Sequence, residues 1–112
     1  MTKTIVYDDF DVVDIRVGTI IEAEVNNLLK KPSFVLKIDF GDKIGIKKSS
    51  AQLQSNYKIS DLINKQVIAV VNFPKKQIAN FISECLVLGA VNEKDVILIS
   101  PEDTVMNGLK IH

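Results

Sequence analysis

The sequence predicts an all-β fold, a small five-stranded barrel with one helical connection, and three observations carry that prediction. Hydrophobic residues make up 46% of the 112 residues, yet they fall in short runs bounded by turn formers, as strands do. Strict alternation marks Phe34 to Phe40, while Val67 to Val71 is a continuous run of the kind that is covered on both faces. The helical signals are brief, and apart from one turn before the first strand they lie between the third and fourth strand candidates. The length suits one domain, residues 1–112, with a modest core.

Taken in order, Asp8 or Asp9 can cap a helical turn that places Phe10 and Val13 on one side. Such a turn is too short to stand alone and must pack on something. Asp14 to Ala23 alternates, with Ile15, Val17 and Thr19 on one face, and Gly18 predicts a bend or bulge there. Residues 26–32 form a loop holding two lysines. In the next strand Phe34, Leu36, Ile38 and Phe40 point inward, and Gly41-Asp42 turns the chain into Ile44 to Lys48 as the hairpin partner. Ser49 or Ser50 caps a short helix over Ala51 to Asn56, and Ser60 caps another through Asn64. Two strands buried on both faces follow, Val67 to Val71 and Cys85 to Leu88, with Pro74 ending the first. Val96 to Ile99 is a further strand, residues 101–107 a loop and Gly108 to Ile111 an extended tail. Five strands with a helix between the third and fourth is the pattern of an OB-fold barrel.

Composition narrows the function. His112 is the single histidine and Cys85 the single cysteine, so neither a catalytic triad nor a zinc site can be assembled. Glycine motifs for phosphate or dinucleotide are absent, and Asp8, Asp9 and Asp11 read as caps and solvent face. The chain reads as a non-enzyme without cofactor or metal. Cys85, mid-strand, reads as a core residue with a suppressed thiolate. No apolar run can span a membrane and no signal core precedes the first acids, so the expected location is cytoplasmic. Charge is zero overall but uneven. Residues 1–24 carry two cations against six acids, residues 25–76 ten lysines against three aspartates, and residues 77–112 two lysines against five acids. A basic middle permits an anionic partner without demanding one.

Asp14-Ile15-Arg16-Val17-Gly18-Thr19-Ile20 resembles the opening strand of the tRNA-binding OB domain of the endothelial-monocyte-activating polypeptide II type. Asn72, Lys76, Ile78 and Ser83-Glu84 resemble that family's second motif. Ile38 to Gly41, Ile44 to Gln52, Leu62 to Pro74 and Leu86 to Gly89 are similar to its small CsaA branch, export-related chaperones. The resemblance implies a homodimer without enzymatic activity that holds unfolded or precursor polypeptides and meets the export machinery; tRNA is the ligand of the relatives. Asn80 departs from the glycine usual in the family, though asparagine tolerates a left-handed backbone. Lys75-Lys76-Gln77 replaces a more arginine-rich segment, and lysine acts only as a point charge.

Binding therefore falls to the OB-fold ligand face and to the Asn72–Glu84 connection. The candidates are Lys30, Lys31, Phe34, Lys47, Lys48, Ser49, Ser50, Gln52, Asn72, Phe73, Lys75, Lys76, Ile78, Phe81 and Ser83. Phe34 and Phe73 could be core or contact. Ser49, Ser50 and Gln52 could touch ligand, or the serines could simply cap. Phe81 could touch ligand, or Ile78 and Phe81 could pin the loop to the barrel. A polypeptide held by Phe73, Ile78 and Phe81 inside a lysine rim, and a tRNA held by lysines with bases stacked on the aromatics, are the two readings.

Overall fold

The computed structural model describes residues 2–28, 33–53, 56–93 and 95–112. Along the chain run α1 (Tyr7–Asp11), β1 (Ile15–Asn26), β2 (Ser33–Asp39), β3 (Ile46–Ala51), α2 (Ile59–Leu62) and β4 (Gln66–Val70). They are followed by β5 (Lys76–Ile78), β6 (Phe81–Ser83), β7 (Leu86–Val87), β8 (Gly89–Asn92) and β9 (Asp95–Leu98). Five strands make one antiparallel sheet in the order β3-β2-β1-β4-β7, curled into a nearly closed barrel, as the sequence predicts. β5–β6 and β8–β9 are separate hairpins.

β1 is the longest strand and serves two partners, β4 along Ile15–Thr19 and β2 along Thr19–Asn26. The register steps from Ile20↔Ile38 to Glu22↔Lys37, so Ile21 is the extra residue of a bulge that re-aims the strand. The bend expected at Gly18 therefore sits three residues later. Gly18 answers a packing need instead: a Cβ there would stand 2.6 Å from Ile38 Cγ2 and 2.7 Å from two atoms of the Phe40 ring.

Two apolar clusters lie on the two faces of β1 and β4. Ile20, Phe34, Leu36, Ile38, Phe40, Leu53, Leu62, Val67 and Ala69 fill the barrel. Ile15, Val17, Ile68 and Val70 face outward and are covered by Phe10, Val13, Leu88, Val105 and Ile111. This double cover is why β4 reads as an unbroken apolar run. It also satisfies part of the apolar surface of the terminal segments within the chain itself. The C-terminal segment is fixed where β2 has ended. Gly108 N–H donates to Val17 O, Val17 N–H to Leu109 O and Ile111 N–H to Ile15 O, while the Gln66 amide donates to Val105 O and accepts from Val105 N–H.

Local expectations fare unevenly. The β2 alternation holds, with Phe34, Leu36, Ile38 and Phe40 all buried. The following turn is longer than two residues, closing from Gly41 to Gly45, both at positive φ, with Gly45 N–H on Gly41 O. No helix starts at Ser49 or Ser50: β3 continues to Ala51 because it pairs with β2 as far as Phe34↔Ala51. Leu53 O then accepts from Asn56 and Tyr57 N–H in a turn. Ser60 lies inside α2, and Asp61 caps from within by accepting Lys58 N–H at 2.9 Å. Asp9 does the same for α1, accepting Val6 N–H at 3.1 Å. The second both-face strand is corrected as well: only Leu86 and Val87 pair with β4, and Leu86 is half exposed. Among the described residues no helix is long and apolar enough to cross a membrane.

Candidate functional site

Where β4 ends, the chain forms neither loop nor barrel strand but a β-hairpin, with Lys76 opposite Ser83, Gln77 opposite Ile82 and Ile78 opposite Phe81. Opposed residues share a face, so Lys76, Ile78, Phe81 and Ser83 form one side of the arm. Its tip turns at Ala79, φ +49, rather than at Asn80. Asn80 is used otherwise: its Oδ1 accepts from Asn26 Nδ2 at 3.0 Å, which ties the tip to the end of β1.

At the root of the arm Glu84 closes the barrel. Its backbone N–H donates to Lys48 O at 2.8 Å, and its own carboxylate accepts Lys48 N–H at 3.1 Å. A side chain here satisfies an edge donor of β3 that a neighbouring strand would otherwise take. The other carboxylate oxygen lies 3.7 Å from Lys75 Nζ, a loose pair on a well-exposed lysine.

Between the arm and the barrel edge opens a groove of about 510 Å³. Phe73, Pro74, Ile78, Cys85 and Leu86 give it apolar walls, while Ser50, Ser83, Lys75 and Lys76 supply its polar groups. That volume falls in the range of small-ligand pockets, ~300–1,000 Å³. Six candidates from the sequence converge here: Ser50, Phe73, Lys75, Lys76, Ile78 and Ser83. Phe73 is 53% exposed, a surface ring rather than a core one.

Other candidates are placed elsewhere. Phe34 is 3% exposed in the barrel interior, so its ring is core. Ser49 is buried and donates to Ser50 O, and Ser50 Oγ lies 3.2 Å from Ser33 Oγ. Both amide ends of Asn72 are spent on the fold: Oδ1 accepts Asp14 N–H at 3.0 Å and Nδ2 donates to Val12 O at 2.7 Å. Asn72 thereby clamps the start of β1 to the end of β4. Phe81 stands across the hairpin tip from Ile78 and does not line the groove; Gln52 is exposed outside it. Lys30 and Lys31 lie outside the described residues.

Sequence reasoning missed Pro74, Cys85 and Leu86 as groove residues, because Cys85 and Leu86 read as the middle of a buried strand. Cys85 is 6% exposed, with Sγ 3.6 Å from Lys48 O. Burial pushes its thiol up to about 12; the Lys47 ammonium nearby pulls the other way without prevailing. The groove thus offers a hydrophobic sulfur, not a nucleophile. Arg16, the single arginine, is held by Asp14 at 2.6 Å and by Gly108 O at 3.0 Å, away from the groove. Among the described residues no cluster of His, Cys, Asp or Glu is arranged to hold a metal ion.

Comparison with known proteins gives a consistent neighbourhood. Residues 15–110 match the tRNA binding domain family. The structure is similar to chaperone CsaA of Bacillus anthracis, 44% identical, covering 98% of this chain and 100% of that one with a TM-score of 0.93. It is also similar to the CsaA chaperone protein of Picrophilus torridus, 55% identical over 97% of this chain and 100% of that one, TM-score 0.90. The methionine–tRNA ligase of Pyrococcus abyssi is 33% identical over 105 residues, which is 94% of this chain and 14% of the ligase. The chain therefore spans a small part of the curated ligases it matches.

Proposed function

The chain belongs to the tRNA binding domain family, and on that premise we propose that it is a non-enzymatic module that binds unfolded or precursor polypeptides as a homodimer. The observation that carries this reading is the wall of the groove, in which Pro74, Ile78 and Leu86 surround one exposed ring, Phe73. Aliphatic walls take apolar side chains from an extended chain without reading its sequence. The two CsaA chaperones, similar over essentially the whole chain, support a chaperone function, and the export role implied by the sequence resemblance makes precursor proteins in the cytoplasm, and through them the export machinery, the partners to test.

The second reading, a tRNA-binding module, is favoured by the family match and by Lys75 and Lys76 at the rim. Salt separates the two. Affinity for a denatured polypeptide should change little between 50 and 500 mM salt, whereas RNA held through phosphates loses affinity steeply as counterions are no longer released into dilute salt. A weak, salt-insensitive RNA signal together with firm polypeptide binding supports the first reading; the opposite pattern supports the second.

Dimerisation has its own motive. Ile5, Val6 and Tyr7 are exposed at 60%, 65% and 89%, and with Phe10 they line a concave apolar patch at the N-terminal helix. A two-fold pairing would cover such a patch on both copies. Light scattering should return about twice 12.5 kDa, and a clean monomer at micromolar concentration overturns this part of the proposal.

A further inference from the structure

Resting on the polypeptide reading, we infer that the groove selects by charge as well as by apolarity, taking extended segments in which an apolar side chain is flanked by carboxylates. The groove is not evenly rimmed. Lys75 and Lys76 line it. Among the described residues no acidic side chain lines it. Glu84, next to the lining residues Ser83 and Cys85, accepts Lys48 N–H and stands 3.7 Å from Lys75, so these two charges largely offset each other and the unbalanced charge at the rim is that of Lys76. Lys76 forms no ion pair among the described residues and stands on the same face of the hairpin as Ile78, two residues along. In an extended ligand, side chains two positions apart likewise share a face. A segment that seats an apolar side chain between Ile78 and Leu86 therefore presents its second-neighbour side chain to Lys76. A carboxylate at that position meets an opposite charge, and a lysine there meets a like one.

The same geometry argues against a nucleic acid as the occupant. Stacking needs aromatic platforms, and among the described residues the groove has one ring. Bidentate phosphate recognition needs arginine, and the single arginine is engaged by Asp14 and Gly108. Lysines on an aliphatic groove instead complement an acidic, apolar peptide.

Three labelled twelve-residue peptides test this by fluorescence anisotropy on the full chain. They share one central Leu-Phe pair and carry Asp, Ser or Lys two residues to either side. At 50 mM salt the Asp peptide should bind at least tenfold more tightly than the Lys peptide, with Ser between. At 500 mM salt the spread should fall below about threefold, since exposed charges are screened within a few ångströms, while apolar binding remains. Lys76→Gln should narrow the low-salt spread by weakening the Asp peptide and strengthening the Lys peptide relative to the Ser peptide. Equal affinity for the three peptides, or preference for the Lys peptide, overturns the inference and leaves polypeptide binding standing. Failure of all three, alongside salt-sensitive capture of a twelve-nucleotide single-stranded RNA, overturns both.

Discussion

The β1–β4 pair and the β5–β6 arm are built on opposite terms. Ile15–Thr19 and Gln66–Val70 run side by side with one apolar cluster inside the barrel and another outside it. The arm pairs only with itself and is held at two places, Asn26–Asn80 at the tip and Glu84 at the root. On the proposed reading, stability and ligand contact fall to different parts of the chain. A domain of this size has little stability to spare, so a site that needs exposed apolar walls is best placed where burial contributes least. Substitutions in the pair should act on folding and substitutions in the arm on binding.

The largest effect should come from Gly18, where a methyl group has no room. Gly18→Ala is expected to cost about 3 kcal/mol in denaturant unfolding, at the upper end of overpacking penalties. A loss below about 1 kcal/mol would mean that Ile38 and Phe40 can yield, and that the barrel interior is softer than the contrast requires.

Asn72 sharpens the comparison because it stands at the boundary. Asn72→Ala removes two hydrogen bonds at a site open to water, and should cost about 1–2 kcal/mol while leaving peptide affinity unchanged. Reduced affinity in a folded Asn72→Ala protein would return this residue to the ligand site.

Cys85 is where the two regions touch. Cys85→Ala should cost about 1–2 kcal/mol as a small cavity, with binding retained. Its pH dependence has a definite sign. The folded thiol keeps its proton up to about 12, well above the ordinary 9.0, so the protein binds that proton more tightly folded than unfolded. The associated stability is fully present below about pH 9 and is lost progressively as pH rises toward 12. Unfolding curves at pH 7, 10 and 11 should therefore converge between wild type and Cys85→Ala as pH increases. Curves that stay parallel would show that the thiol titrates freely.

The smallest stability change belongs to the arm. Lys75→Ala with Lys76→Ala should shift stability by less than about 0.5 kcal/mol, since Lys75–Glu84 is a loose, exposed pair. The same change should lower the salt slope of any RNA binding by up to about 2, one for each phosphate that a lysine no longer neutralises. Phe73→Ala should weaken peptide binding by about 1–3 kcal/mol, and Phe81→Ala by less, because Phe81 lies off the groove. The reverse ranking would relocate the grip to the hairpin tip.

The barrel strands are also the legible part of the molecule. Val67 to Val71 and Phe34 to Phe40 declare themselves because burial dictates their residue types at every position or every second one. The arm does not. Its strands are three residues each, largely exposed, and its left-handed turn residue is Ala79, which carries none of the usual turn signal. The serine pair misleads for a related reason. Ser49 and Ser50 look like helix caps, yet they sit in a strand where Ser49 packs inward and Ser50 meets Ser33, an arrangement set by tertiary pairing alone. Four of the groove residues, Lys75, Lys76, Ile78 and Ser83, could be guessed from the crowding of chemistry after Pro74, and Phe73 and Ser50 from the ring beside it and the OB-fold ligand face. Cys85 and Leu86 could not, since the same apolar pair would serve a buried strand equally well.

The closure at Glu84 has a mechanical side. Among the described residues, the hydrogen bonds that join β3 to the far edge of the barrel are those of Lys48 with Glu84 and Cys85. A ring fastened at one rivet concentrates load there. Load applied to the arm therefore reaches that fastening before it reaches the β1–β4 ladder.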